Sequence, residues 1–410
     1  KIPRRILTSF LSGRARYFDG DRQNPEAGRM SDELIYLDYA ATTPLDPTVA
    51  TRMQEVQRTV FANPASNHVL GRRAADVVAA AEASVRALLG ANEGMLLWTS
   101  GATESNNLAI LGTAEQRAHR GKHLVTMRSE HKAVVDVFRA LEKRGFEVTW
   151  LPGDDAGVLD IADLEASLRD DTQLVSIMHV NNETGAIQPV DQVGALCRDR
   201  DIAFHCDGAQ AAGKIPVDVA SIGVDLYSVT AHKFYGPKGV GALYVAAGTP
   251  LEPQLYGGGQ QRRLRPGTMP VDLIAGLGFA AEKARKDLEQ NLAQVQSLRD
   301  RLLAGLRDVD GVYVNGPEAG GYPGVLNVGV TGVEGESLLL ALEPLCVATG
   351  SACNSQSKEP SYVLRSLGRS DDEAQSAIRF SIGHDTTAAE IDAAIDLYVR
   401  AVEQLRSLVP

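Results

Sequence analysis

Residues 174–229 carry three short apolar runs, Leu174-Val175-Ser176-Ile177, Ile202-Ala203-Phe204 and Leu226-Tyr227-Ser228-Val229. Each is nearly continuous in its hydrophobicity, as expected of a strand covered on both faces rather than one. Between the first two, Asp191 to Asp199 has a helical pattern. Strand and helix in alternation point to an α/β layered domain built on a mostly parallel sheet. The same alternation extends upstream through Leu96-Leu97-Trp98, Leu124-Val125-Thr126 and Val148-Thr149-Trp150, with helical stretches at Arg73 to Leu89 and Asn106 to Arg120.

Downstream the pattern changes. Leu288, Leu292, Val295, Leu302 and Leu306 fall on one stripe of a long helix. Beyond it, Tyr313-Val314, Val325-Leu326-Asn327-Val328 and Ile378-Arg379-Phe380-Ser381 read as strands of a smaller α+β unit. The expected division is a large domain over 45–285 and a small one built from 30–44 and 286–410, with the long helix joining them.

The chain has 410 residues and a formal net charge of −11, which argues against a surface built to displace counterions from nucleic acid. Its four cysteines, Cys197, Cys206, Cys346 and Cys353, are too few for a disulfide scaffold and lack the paired spacing of a zinc site. A reducing, cytoplasmic compartment is the expectation that follows. No apolar run reaches the ~18 residues needed to span a bilayer. Residues 1–29 read as a leader or tag-like extension, with Met30 as a start position.

Four segments carry chemistry. Thr99-Ser100-Gly101-Ala102-Thr103-Glu104 lies between a strand and a helix, where free N–H groups and a glycine make a phosphate cup. In Phe204-His205-Cys206-Asp207-Gly208-Ala209-Gln210 an acid ends a strand, the edge of an α/β sheet where ligands bind. Such a carboxylate can also be a plain helix cap. In Thr230-Ala231-His232-Lys233-Phe234-Tyr235-Gly236-Pro237 a lysine closes a buried strand, a poor place for a solvated cation and a good one for a nucleophilic amine. Finally, Gly350-Ser351-Ala352-Cys353-Asn354-Ser355 sets a cysteine among small polar residues, as a reactive loop thiol requires.

Together these segments resemble the cysteine desulfurases of the class V aminotransferases, pyridoxal-phosphate enzymes of fold-type I. The matching runs also include Leu37 to Pro44, Ser129-Glu130-His131-Lys132, Asn181-Asn182-Glu183-Thr184-Gly185, Asp207 to Lys214 and Gly257-Gly258-Gly259-Gln260-Gln261, in the family's order. The Gly-Ser-Ala-Cys spelling followed by Glu359-Pro360-Ser361 is similar to the NifS/IscS branch. The resemblance implies a seven-stranded large-domain sheet, pyridoxal 5'-phosphate bonded to Lys233, and conversion of L-cysteine to L-alanine with sulfur passed to Cys353 as a persulfide. It further implies that Asp207 pairs with the pyridine nitrogen, that Gln210 meets the ring hydroxyl and that His131 stacks on the ring. Ala102, Thr103, Thr230 and His232 would hold the phosphate, with Thr268 reaching in from the second subunit of a homodimer. Asn182 and Arg379 would bind the substrate carboxylate.

The implied partner is a sulfur acceptor such as an iron–sulfur scaffold. No metal of the chain's own is implied, though Cys353 could share a cluster with such a scaffold. Pro266 in Arg265-Pro266-Gly267-Thr268 departs from the family's usual serine and removes an N–H near that phosphate contact. The end at Leu408-Val409-Pro410 leaves out a scaffold-engaging tail, which weakens the expectation of that partner. Two further readings stand beside this one: a selenocysteine lyase-type enzyme, and a sulfur-relay component active only with a partner. A dinucleotide-binding dehydrogenase is excluded, since no G-x-G-x-x-G opens the first βα unit.

Overall fold

The computed structural model describes residues 34–349 and 359–408, so the expectations for residues 1–29 and for Cys353 lie outside the described residues. Seven strands form the main sheet: β1 (Met95–Thr99), β2 (His123–Met127), β3 (Glu147–Leu151), β4 (Thr172–Ser176), β5 (Ala203–Asp207), β6 (Leu226–Thr230) and β7 (Gly241–Val245). Their spatial order is β1-β7-β6-β5-β4-β2-β3. All neighbours are parallel except β7, which runs antiparallel to both β1 and β6.

Two strands depart from the sequence expectations. β7 had no counterpart there, because Gly-Ala-Leu-Tyr-Val follows a Gly-Pro turn closely and has no helix before it to announce a new unit. β3 was expected to be buried. It is the edge strand, and Glu147 to Trp150 are exposed or half-buried, with only Leu151 enclosed.

The helices that matter for the site are α1 (Pro47–Thr59), α2 (Val69–Leu89), α3 (Ala102–Gln116), α4 (Lys132–Lys143), α5 (Val190–Asp199) and α6 (Val271–Arg307). Ala74, Val78, Ala81, Val85 and Leu88 of α2 are buried at helical spacing, and Gly90 ends the helix in the left-handed region at φ 63°. α2 lies close against α6: a Cβ on Gly278 would come within 2.6 Å of Ala81, so only glycine permits that approach.

The 37 residues of α6 serve two cores. Val271, Ile274, Leu277 and Ala281 pack in the cluster with Val49, Trp98, Val125 and Phe204. Val295, Leu298, Leu302 and Leu306 pack with Ile35, Leu37, Phe380 and Tyr398. That second cluster is covered by an antiparallel sheet of β8 (Val312–Asn315), β9 (Val325–Val330), β10 (Ala348–Thr349) and β11 (Ile378–Ser381), in the order β10-β11-β9-β8, and by α7 (Ala388–Ser407).

Candidate active site

The carboxyl ends of β1, β5 and β6 open on a cavity of about 550 Å³. This is where an α/β sheet places its ligands. α3 starts at one wall. Its N-cap is Gly101, at φ 152°, and among the described residues no side chain caps the helix, so its first N–H groups, at a cavity lined by Ala102 and Thr103, meet no competing acceptor there. A Cβ on Gly241 would fall 2.7 Å from Gly101 Cα, which keeps this turn tight against β7. Ala102, Thr103, Thr230 and His232, the residues that the family resemblance assigns to a phosphate, all line this cavity. His232 Nδ1 lies 3.1 Å from Thr42 Oγ1. Burial, then Lys233, Lys238 and Lys214, push the imidazole down to about 4, so it is neutral near pH 7.

Asp207, at the end of β5, is 5% exposed. One carboxylate oxygen accepts from Ala209 N at 2.9 Å and the other from Asn106 Nδ2 at 2.7 Å, so the group is oriented from two sides. Lys233 follows β6 on a single 3₁₀ turn, Ala231–Lys233. Its Nζ donates to the carbonyl oxygens of Ala40 (2.6 Å) and Ala41 (2.8 Å). His131 caps α4: Nδ1 accepts from Ala133 N at 3.1 Å, which assigns the remaining ring proton to Nε2. Burial, assisted by Lys233 and opposed by Asp207, holds this imidazole below its usual range.

At the far end stand Asn182 and Arg379. The Arg379 guanidinium donates to Asn182 O (3.0 Å) and pairs with Asp38 at 2.7 Å. Arg379 Nε and Asn182 Oδ1 are buried without a hydrogen-bond partner among the described residues. Orphaned polar atoms in a cavity wall are costly, and a ligand's polar groups would relieve that cost. An uncapped helix start, an oriented carboxylate and an amine lining one cavity fit the phosphate, ring nitrogen and carbonyl of pyridoxal phosphate. Thr268 is exposed and does not line this cavity within one chain.

Sequence reasoning assigned no role to Glu183, Glu130 or Lys214, though all three lie in runs it quoted. Glu183 is 3% exposed and accepts from Ser361 Oγ at 2.6 Å. Burial pushes its carboxyl up from 4.5 to about 7, against the pull of Ser361 and Arg379. Tyr362 in turn donates to the backbone oxygen of Glu130 at 2.6 Å. Ser361 and Tyr362 are thus tied, at adjacent positions, to the chain neighbours of two cavity-lining residues, Asn182 and His131.

Glu183 has a measurable consequence. A carboxyl raised on folding binds its proton more tightly in the native state, so its contribution is full below pH ~4.5 and is lost as pH climbs through ~7. That rise corresponds to on the order of 3 kcal/mol. Denaturant titrations should show Glu183→Gln gaining most of that, about 2 kcal/mol, on the wild type between pH 5 and pH 8. Parallel stability curves for the two proteins would rule this out.

Residues 35–394 match the family model described as aminotransferase class-V. The cysteine desulfurase IscS of Klebsiella pneumoniae is 49% identical over 381 residues, covering 92% of this chain and 94% of its own. Among solved structures, a NifS-like protein superposes with a TM-score of 0.85 at 34% identity, covering 91% of this chain and 100% of that one. SspA in complex with cysteine gives a TM-score of 0.76 at 35% identity over 86% of this chain and 99% of that one.

Proposed function

The chain belongs to the class-V aminotransferase family, and from that membership we propose that it acts as a cysteine desulfurase with Lys233, Asp207 and Cys353 as its working residues. It converts L-cysteine to L-alanine and passes the sulfur on. The observation that carries the site assignment is the convergence in one cavity of the uncapped start of α3, the Asp207 carboxylate and the Lys233 amine, with Asn182 and Arg379 adding polar atoms that have no partner among the described residues.

The family depends on pyridoxal phosphate, which when bound supplies the electron sink for charge left at the substrate's Cα. The rest falls to the chain. Ala102 N–H, Thr103, Thr230 and His232 hold the phosphate, and Asp207 supports a protonated ring nitrogen. Arg379 and Asn182 orient the substrate carboxylate. Lys233 would hold the cofactor, and its amine would move the proton at the substrate's Cα. Neutral His131, which lines the cavity, would face the cofactor and offer Nε2–H as a relay.

The Cys353 thiolate then attacks the substrate's Sγ. An S–S bond forms, the Cβ–Sγ bond breaks with its electron pair kept by carbon, and a proton completes the methyl group of alanine. A second copy of the chain supplies Thr268 to the phosphate cup, in keeping with that residue's exposure in a single chain. The persulfide then passes to an acceptor protein of the iron–sulfur scaffold type. A reducing compartment, the cytoplasm, suits a thiol that must be regenerated each cycle.

The test is stoichiometric. Purified protein given L-cysteine and a thiol reductant should form alanine and sulfide in equal amounts. Cysteine consumed without alanine would overturn the assignment, and turnover confined to selenocysteine would favour a lyase instead.

A further inference from the structure

Lys214 is a lysine with no part in the chemistry above. It lies four residues after Gln210, beside a second, small cavity of about 40 Å³ that it lines together with Lys233 and Tyr322. Its Nζ donates to Gln210 Oε1 at 2.6 Å and sits 5.6 Å from the centre of the Tyr322 ring. Burial and the charges of Lys233 and Arg379 hold its ammonium well below the lysine range. Ion-pair partners are not what keeps it there, since the residue it touches most closely is an uncharged amide.

Gln210 explains the placement. The residue is 5% exposed, and its Nε2 donates to Ala40 O at 2.8 Å. An amide has two N–H bonds and one oxygen to satisfy. Ala40 O takes one N–H and Lys214 takes the oxygen, so the second N–H is left for the main cavity, which Gln210 lines. Both charge states of Lys214 can donate, so the amide is oriented at any pH the protein meets. A donor on the amide oxygen also polarises the group and strengthens its remaining N–H, as successive hydrogen bonds do in a low-dielectric interior.

We propose that Lys214 is a positioning residue that, acting through Gln210, holds an N–H donor against the ring oxygen of the bound cofactor. This rests on the reading of the cavity as a pyridoxal phosphate site. A donor there favours the ionised ring oxygen over the neutral hydroxyl. Without Lys214, the Gln210 oxygen would be buried and unpartnered, and the amide would rotate to relieve it.

The experiment is a spectroscopic pH titration of reconstituted full-length protein: wild type, Lys214→Met, Gln210→Ala and the double variant. Loss of one charge-assisted hydrogen bond is roughly a tenfold effect, so the midpoint of the visible band should rise by about one unit in Lys214→Met. Gln210→Ala should show a shift of similar size, and the double variant no more than either single one, because both act on one donor. Lys214→Gln, which replaces the amine with a shorter polar group, should shift the band the same way by less, and serves if the Met variant does not fold. A wild-type midpoint in Lys214→Met or Lys214→Gln would overturn the inference, as would fully additive shifts. A colourless wild type would instead overturn the cofactor reading beneath it.

Discussion

Lys233→Ala, reconstituted with pyridoxal phosphate, is expected to lose the visible absorption band of the wild type and to turn over cysteine slower by on the order of a thousandfold or more. Both losses follow from one amine. Lys233 lines the large cavity together with the α3 start and Asp207, carried there on a single 3₁₀ turn at the end of β6. Borohydride should fix the cofactor to Lys233 in the wild type and leave the variant unlabelled, as read by peptide mass. The variant should still retain cofactor non-covalently, because the phosphate cup and Asp207 do not depend on the lysine. Lys214 is the informative control. It lines the small cavity, not the large one, and its Nζ is engaged by Gln210. Label appearing on Lys214 in the variant would show that the two amines exchange roles, and label there in the wild type would displace Lys233 from the reading.

The backbone of the site was legible in the sequence because parallel strands announce themselves twice, by apolar runs and by what ends them. Asp207 and Lys233 both sit where a buried strand stops, and an ionisable side chain there stands out against a hydrophobic background. What escaped was whatever depends on contacts distant in sequence. Glu183 meets Ser361 across 178 positions and Asn106 meets Asp207 across 101. On the page a glutamate or an asparagine reads as a solvated surface residue, and only packing reveals that these are enclosed. β3 failed for a related reason: Val148-Thr149-Trp150 has strand composition on any strand, and nothing local says that it lies at an edge. The long helix was recognised from its downstream stripe alone. Its first half, Val271 to Ala284, is rich in alanine and glycine because it packs closely on α2, and small residues make no obvious stripe.

Cys353→Ala should abolish protein-bound persulfide and lower sulfide release from L-cysteine by on the order of a hundredfold or more, while leaving the visible cofactor band in place. The second half of that result matters as much as the first. The band depends on Lys233, Asp207 and the phosphate cup, so its survival would show that the variant is folded and loaded and that only sulfur acceptance is gone. The remaining cysteines offer no substitute. Cys197 and Cys206 are 1% and 0% exposed, in the core cluster that holds Trp98 and Phe204. Burial pushes both thiols far above the range in which a thiolate forms near pH 7, with Asp225 and Asp207 adding to the effect. Cys346 is half-buried and belongs to a two-residue strand, Leu345–Cys346, paired with Ile35–Tyr36, which fixes its backbone in the second core. A sulfur acceptor must reach the substrate and then an external partner, and none of these three positions allows both. Mass analysis after a single turnover should therefore place one extra sulfur on the peptide bearing Cys353 and none on the others. Wild-type rates of sulfide release in Cys353→Ala would mean that the substrate's sulfur leaves without a protein nucleophile, and the chain would then be a lyase on the same fold.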